Sequence, residues 1–479
     1  MTGPAPSHVE PALISQRLGE LLSHCGIVSD LTARIDLDGA APGCRPAVGE
    51  GAAVVLAACA IAAAEIWLRR GGKPQPIAVS TRQAAATLRS YAYLTLDGHG
   101  VGGAPSDESP LAEFYRTRDG RHFFIHGVLP HLAAGTLKVL GLDTATYDSV
   151  AHAVSGWDAL DLEEALATRG MCGVYARTPA EWDAHAQNMA IAPGGPVELL
   201  RIGDAPPEPL PAGSRPLEGV RVLDLTRILA GPTCGRTLAE HGADVLLVSS
   251  PKLDSVHSFV LDTGHGKRST WLDLTHTEDR STLKRLVAQA HIFSQGYRSG
   301  SLARRGFSPN ELAAIRPGLI CISINCYGHE GPWVERPGWD QLAAAATGLT
   351  EIQGEDSGRP ALLRSAACDY VTGYLGALGA IAALQRRATE GGSWLVRVSL
   401  AQTGVWLRDF AAPRALEDRP DFAVPDDYFV ETQTPFGRLK HLAPAARMGA
   451  TQPHWERPVV PLGTHPPSFS DANAALAAS

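Results

Sequence analysis

Between Leu217 and Phe410, short β-branched runs alternate with stretches whose apolar residues recur at helical spacing. Val220 to Leu225 (VRVLDL) predicts a strand, Gly231-Pro232 a turn, Thr233 to His241 a helix and Ala243 to Val248 a second strand. The alternation continues with a helix over Ser281–Ala290, a strand over His291–Ser294, a helix over Pro309–Ile315 and a strand over Leu319–Ile324. Strands separated by helices pair in parallel through crossover connections, so this half of the chain predicts a doubly wound α/β fold. The greasiest run, Gly51 to Ala64, is closed by Glu65. It falls short of the roughly 20 apolar residues that cross a bilayer, and it predicts a buried helix.

Ala192 to Pro216 is dense in Pro and Gly and predicts a linker over 196–216. A second Pro-rich, acidic stretch over Pro413–Asp427 precedes a C-terminal segment that ends in a polar tail after Pro467. An internal repeat joins the two halves. Shifting Arg45–Ser90 by 319 places it without gaps on Arg364–Asp409. The shift pairs Arg45 with Arg364, Leu56 with Leu375, Gly72 with Gly391, Val79-Ser80 with Val398-Ser399 and Gln83 with Gln402. About a dozen identities fall over roughly 46 positions, and Glu50 stands opposite Asp369.

At 479 residues the chain has room for roughly three compact units at about 150 residues each. With 44% hydrophobic and 19% charged residues it has an ordinary globular composition, which disfavours a disordered, collagen-like or coiled-coil chain. A net charge of −8 argues against a general nucleic-acid binder, because phosphate-backbone affinity needs surplus Lys and Arg. The eight cysteines are scattered without a C-x-x-C pair or a His at zinc spacing. They predict reduced thiols in a cytoplasmic setting, with neither disulfides nor a metal site. The N-terminus lacks the basic region and apolar core of a signal peptide. Two apparent nucleotide motifs fail: Gly98 to Gly103 fits G-x-G-x-x-G but leads into Ala-Pro-Ser-Asp rather than a helix, and Gly266-Lys267 is followed by Arg268 rather than Ser or Thr.

A set of segments in fixed order carries the chemistry. They are Arg227-Ile-Leu-Ala-Gly-Pro232, Gly264-His-Gly-Lys-Arg-Ser269, Gln295-Gly-Tyr-Arg-Ser-Gly300 with Arg304, Tyr327-Gly-His-Glu-Gly-Pro332, Arg336-Pro-Gly-Trp-Asp340 and Asp369-Tyr-Val-Thr-Gly373. From Leu217 to Leu407 this order closely resembles the class III coenzyme A transferases, the family of formyl-CoA and carnitine CoA-transferases. The resemblance implies a Rossmann-like parallel-sheet core with a smaller α+β domain. Phe114 to Gly120 and Arg177 to Trp182 look like the two ends of that smaller domain, and Tyr428 to Pro467 like the family's returning C-terminal segment. The order departs from the family, because the small domain here precedes the core. The chain therefore reads as a partial, degenerate unit over 1–195 (repeat 45–90, small-domain-like 110–190), a linker over 196–216, a core over 217–412 and a return segment over 428–470.

The resemblance makes Asp369 the nucleophile, since the family's Asp lies in D-x-x-x-G, which Asp369 and Gly373 match. A carboxylate attacking a thioester forms a mixed anhydride without a separate base. Taken alone, Asp369 equally suits a cap on the following small-residue helix, and a helix N-terminus keeps a carboxylate ionised. Glu50 is longer by a methylene and reads as vestigial, since misplacement by about an ångström can cost about 100-fold in rate. By resemblance Tyr297 and Arg304 contact CoA with Arg298 adjacent, while Arg227, Lys267 and Arg268 lie in segments flanking the same pocket. Arg supplies planar donors for phosphates, although each of these residues also suits plain surface solvation. Gly296 and Ser249 depart from the Asn and the acid that many members carry there. Members that racemise acyl-CoAs need a His where this chain has Trp339, ahead of Asp340, which disfavours a racemase or isomerase. His329 reads as part of a turn.

The expected activity is CoA transfer from an acyl-CoA to a carboxylic acid, with the CoA thioester as substrate and no permanently bound cofactor. A catalytically silent CoA-thioester-binding protein is the alternative from another class. No nucleic acid or membrane partner is expected. The family's interlocked homodimers imply either a homodimer or, given parts of two units, a monomeric pseudo-dimer.

Overall fold

The computed structural model describes residues 9–39, 41, 43–103, 109–410 and 424–469. Most of the predicted acidic stretch over 413–427, and the tail from 470 onward, lie outside the described residues.

The largest sheet runs from edge to edge as Lys267–Trp271, Asp244–Ser249, Arg221–Leu225, Ile292–Gln295, Ile320–Asn325, Ser393–Ser399 and Glu198–Gly203. Its first six strands are parallel and the seventh pairs antiparallel with Ser393–Ser399. Buried on both faces by helices, the parallel strands carry near-continuous apolar runs such as Val222-Leu223, Ile292-Phe293 and Ile320 to Ile322. Strand order reverses between Arg221–Leu225 and Ile292–Gln295. In a doubly wound sheet the crevice beyond the carboxyl ends of such neighbours receives ligands.

Two local expectations are corrected. The predicted linker contains the strand Glu198–Gly203, and the Gly231-Pro232 turn lies inside the first turn of helix Ala230–Glu240. Proline is tolerated there because the first N–H groups of a helix have no partner within it.

The N-terminal part carries a smaller parallel pair, Ala33–Asp36 and Ile77–Ser80, connected through the 22-residue helix Val48–Arg69. The 24-residue helix Ala367–Glu390 lies against it. Gln385 Nε2 donates to the Ala62 carbonyl at 3.0 Å, and Cys59 Sγ to the Tyr374 carbonyl at 3.3 Å. Both helices are apolar and long enough to span a membrane, and both are buried inside the protein. Elements recur at the repeat's offset: Glu50 and Asp369 are each the third residue of their helix, and Ser80 and Ser399 cap the next helix by accepting from Gln83 and Gln402 N–H.

Residues 109–191 form a smaller unit that packs against the core. Strands Phe114–Arg116, His122–Ile125 and Gly173–Tyr175 make an antiparallel sheet, packed by helices Pro130–Leu140, Tyr147–Ser155 and Ala159–Thr168 around Phe123, Val150, Leu162 and Leu166. Gly98 to Gly103 starts at a hairpin between Thr95–Leu96 and His99–Gly100, with Asp97 and Gly98 in the left-handed region. Asp-Gly in that conformation is the turn a two-residue hairpin needs. The C-terminal hairpin Phe429–Thr434 and Gly437–Leu442 adds to the same small sheet.

Candidate active site

Asp369 occupies the first turn of helix Ala367–Glu390, whose N-cap, Ala366, has no side chain able to cap it. The cap comes from Asp340, at the start of helix Asp340–Thr347: its Oδ1 accepts the Asp369 N–H at 2.9 Å, and its carboxylate also accepts from Cys368 N–H. The helix N-terminus therefore holds Asp340, and Asp369 stands beside that carboxylate rather than serving as the cap itself. Burial followed by repulsion from Asp340 raises the Asp369 carboxyl well above the usual range. Burial lifts Asp340 to about 7 against the pull of its two backbone donors.

One turn further on, Gly373 lets helix Ala230–Glu240 approach closely. A Cβ at Gly373 would stand 2.5 Å from the Ala230 carbonyl oxygen and 2.7 Å from Thr233 Cβ. This contact gives the spacing of Asp369 and Gly373 a physical reason, because it seats the Asp-bearing helix against the crevice loops.

Asp369 lines a cavity of about 350 Å³ at the carboxyl ends of the central strands. The loop after Arg221–Leu225 contributes Arg227 and Ile228; the loop after Ile292–Gln295 contributes Gly296, Tyr297 and Arg298; Arg304, Asn325, Cys326, Arg336 and Trp339 continue the wall. Leu129, His131, Leu132 and Cys172 come from the small unit. The small unit is held over the crevice by Arg298, whose Nη2 donates to the Gly170 carbonyl at 3.0 Å, and by Arg336, which pairs with Glu163 at 3.5 Å. Ile228 has φ +70°. A β-branched residue in the left-handed region is strained, and such strain collects where a loop is shaped around a ligand.

Residues 36–201 and 217–436 match the family model for CoA-transferase family III. The chain belongs to that family. It is 33% identical over 349 residues to the acetyl-coenzyme A transferase nodX of Hypoxylon pulicicidum, covering 67% of this chain and 58% of that protein. It is 34% identical over 322 residues to an acyl-CoA transferase of Gibberella moniliformis, covering 62% of this chain and 57% of that one. Among solved structures it resembles a CAIB/BAIF family protein from Brucella suis, 29% identical, with a TM-score of 0.39 over 47% of this chain and 65% of that one. The chain thus spans just under three fifths of the length of those two curated relatives.

Of the family residues expected to contact CoA, Arg227, Tyr297, Arg298 and Arg304 line the cavity with Asp369. Arg227 also donates to the Asp254 carbonyl, and the Tyr297 N–H is fixed by Gln295 Oε1 at 2.9 Å. Lys267 and Arg268 do not line it. Lys267 is buried on strand Lys267–Trp271, with Nζ 2.8 Å from Asp224 Oδ2 and 2.7 Å from the Pro232 carbonyl. Arg268 makes a two-pronged pair with Asp244, each contact 3.0 Å. Both cations are spent on the sheet. His329 bonds Ser323 Oγ at 2.9 Å and does not line the cavity, and burial lowers its ring to about 3. Glu50 is fully buried and lines neither cavity that borders Asp369. Sequence reasoning missed Asp340 as the helix cap, Arg336 as a wall residue and the small unit's contribution. The only signal for the cap was the acid that follows Trp339. All eight cysteines are buried and unpaired.

Proposed function

We propose that this protein transfers CoA from an acyl-CoA to a carboxylic acid, with Asp369 as the covalent carrier. The observation that carries this reading is that a buried residue, Asp369, is the one carboxylate among the described residues lining a cavity whose walls hold four arginines, Arg227, Arg298, Arg304 and Arg336. The guanidinium groups suit the phosphates of CoA, and Asp369 lies where a thioester carbonyl can be brought to it.

An Asp369 oxygen attacks the thioester carbonyl carbon, the C–S bond breaks and CoA leaves as thiolate, giving an aspartyl anhydride. The thiolate then attacks the Asp369 carbonyl carbon and releases the donor acid, leaving an aspartyl-CoA thioester. The acceptor carboxylate attacks that thioester, and the expelled thiolate takes the acceptor acyl group, regenerating Asp369. Each step exchanges one acyl bond for another, so no redox partner is required. Family relatives named for succinyl-CoA-dependent transfer to L-malate fit the same reaction class.

The test is intact-protein mass spectrometry after incubation with a panel of acyl-CoAs and hydroxylamine. Wild type and Glu50→Ala should gain one hydroxamate at Asp369, and Asp369→Ala should gain none. CoA binding without labelling by any donor would favour the silent binder. Deuterium uptake from solvent at the acyl α-carbon, without transfer, would favour a racemase.

A further inference from the structure

A second cavity, of about 50 Å³, also borders Asp369. It shares Asp369, Trp339, Leu129, Ile228 and Leu229 with the larger one, so the two meet at the reacting carboxylate. Their chemistry differs. The described lining of the smaller cavity contains no Lys or Arg, and its walls are mainly Tyr91, Val256, Phe259 and Trp339, with Phe259 edge-on to Tyr91 at 4.9 Å. Its titratable groups besides Tyr91 and Asp369 are Asp340 and His126. His126 is 7% exposed, lies 5.9 Å from the Trp339 ring, and among the described residues its Nδ1 has no hydrogen-bond partner. Burial lowers that ring to about 4, so it is neutral near pH 7 and offers no positive charge.

Resting on the transferase reading, we propose that this second cavity is the acyl pocket. It selects short, uncharged acyl groups, apolar or bearing one neutral hydrogen-bonding atom that meets His126, over dicarboxylic ones. A second carboxylate on the substrate would enter a buried space that already holds the Asp340 and Asp369 carboxyls and, among its described residues, no cation. No cation on the described wall offsets its lost hydration. A hydroxyl or carbonyl oxygen, by contrast, satisfies the unpaired His126 nitrogen.

The experiment measures the rate of hydroxylamine-trapped labelling at Asp369 with acetyl-, butyryl-, isovaleryl-, octanoyl- and succinyl-CoA. Butyryl- or isovaleryl-CoA should label at least about 100-fold faster than succinyl-CoA. Phe259→Ala should raise octanoyl relative to butyryl labelling by about 10-fold by deepening the pocket, and Val256→Lys should raise succinyl relative to butyryl by a similar factor. Equal labelling by succinyl- and butyryl-CoA, or an unchanged chain-length profile in Phe259→Ala, overturns the pocket assignment while leaving transfer through Asp369 intact. Failure of every donor to label wild type overturns the reading beneath it instead.

Discussion

Asp340 and Asp369 divide between them what a single Asp was expected to do. Asp340 takes the backbone donors of the helix N-terminus, and Asp369, left beside it, resists ionisation. Attack on a thioester needs the ionised form, so kcat/KM should fall as pH drops through a range above that of an ordinary carboxylate. Asp340→Asn removes the neighbouring negative charge and lowers the Asp369 carboxyl, so the acidic limb should move to lower pH; an unmoved limb in a pH–rate profile would dissociate the pair. The same raised carboxyl means that the native state binds its proton more tightly than the unfolded chain. Stability is therefore lost as pH rises above the unfolded carboxyl's value of about 4. Asp369→Asn should accordingly melt higher than wild type at pH 8, with the gap closing toward pH 4. At this scale Asp369, Tyr297, Arg298 and Arg304 were legible because their segments form short motifs. Lys267 and Arg268 were not, since a basic pair looks the same in sequence whether it faces a ligand or a buried acid. Their partners stand on other strands that only the fold brings together, Asp244 on the adjacent strand and Asp224 on the one beyond it.

Among the elements, helix Ala367–Glu390 depends on close approach rather than on capping alone. Gly373→Ala gains about 1 kcal/mol in helix propensity. It must also push back the Ala230 carbonyl, and overpacking of that kind costs about 1–3 kcal/mol. The net effect should be a lower Tm together with a rate loss of about 100-fold as Asp369 shifts in the cavity; wild-type activity at unchanged Tm would contradict the packing account. Strand and helix order in the core was readable because parallel strands carry β-branched runs. Glu198–Gly203 was not. It is an edge strand, half exposed, flanked by prolines and without alternation, so nothing in its pattern separates it from a linker. The helix starting at Ala230 was read three residues late, because Gly-Pro signals a turn and the first turn of a helix accepts both.

For the molecule as a whole, the small unit of the N-terminal part walls the cavity that holds Asp369 of the C-terminal core. The sequence raises the expectation of a rearranged order of parts but does not say which part completes which pocket, because the joining contacts, Arg298 to Gly170 and Arg336 to Glu163, run between segments well over a hundred residues apart. A chain that supplies both walls predicts a specific activity that stays constant as enzyme is diluted from micromolar to nanomolar concentration. Loss of activity on dilution would mean that a second copy completes the site. The most direct test of transfer through Asp369 follows oxygen. A single turnover with an acceptor acid labelled with heavy oxygen in its carboxylate should leave one heavy atom on Asp369, raising the mass of its peptide by two units, and repeated turnover can bring in a second. The peptide should stay unlabelled when donor or acceptor is omitted. Sustained transfer with no heavy oxygen at Asp369 would show that the acyl group passes directly between substrates and would contradict the covalent account.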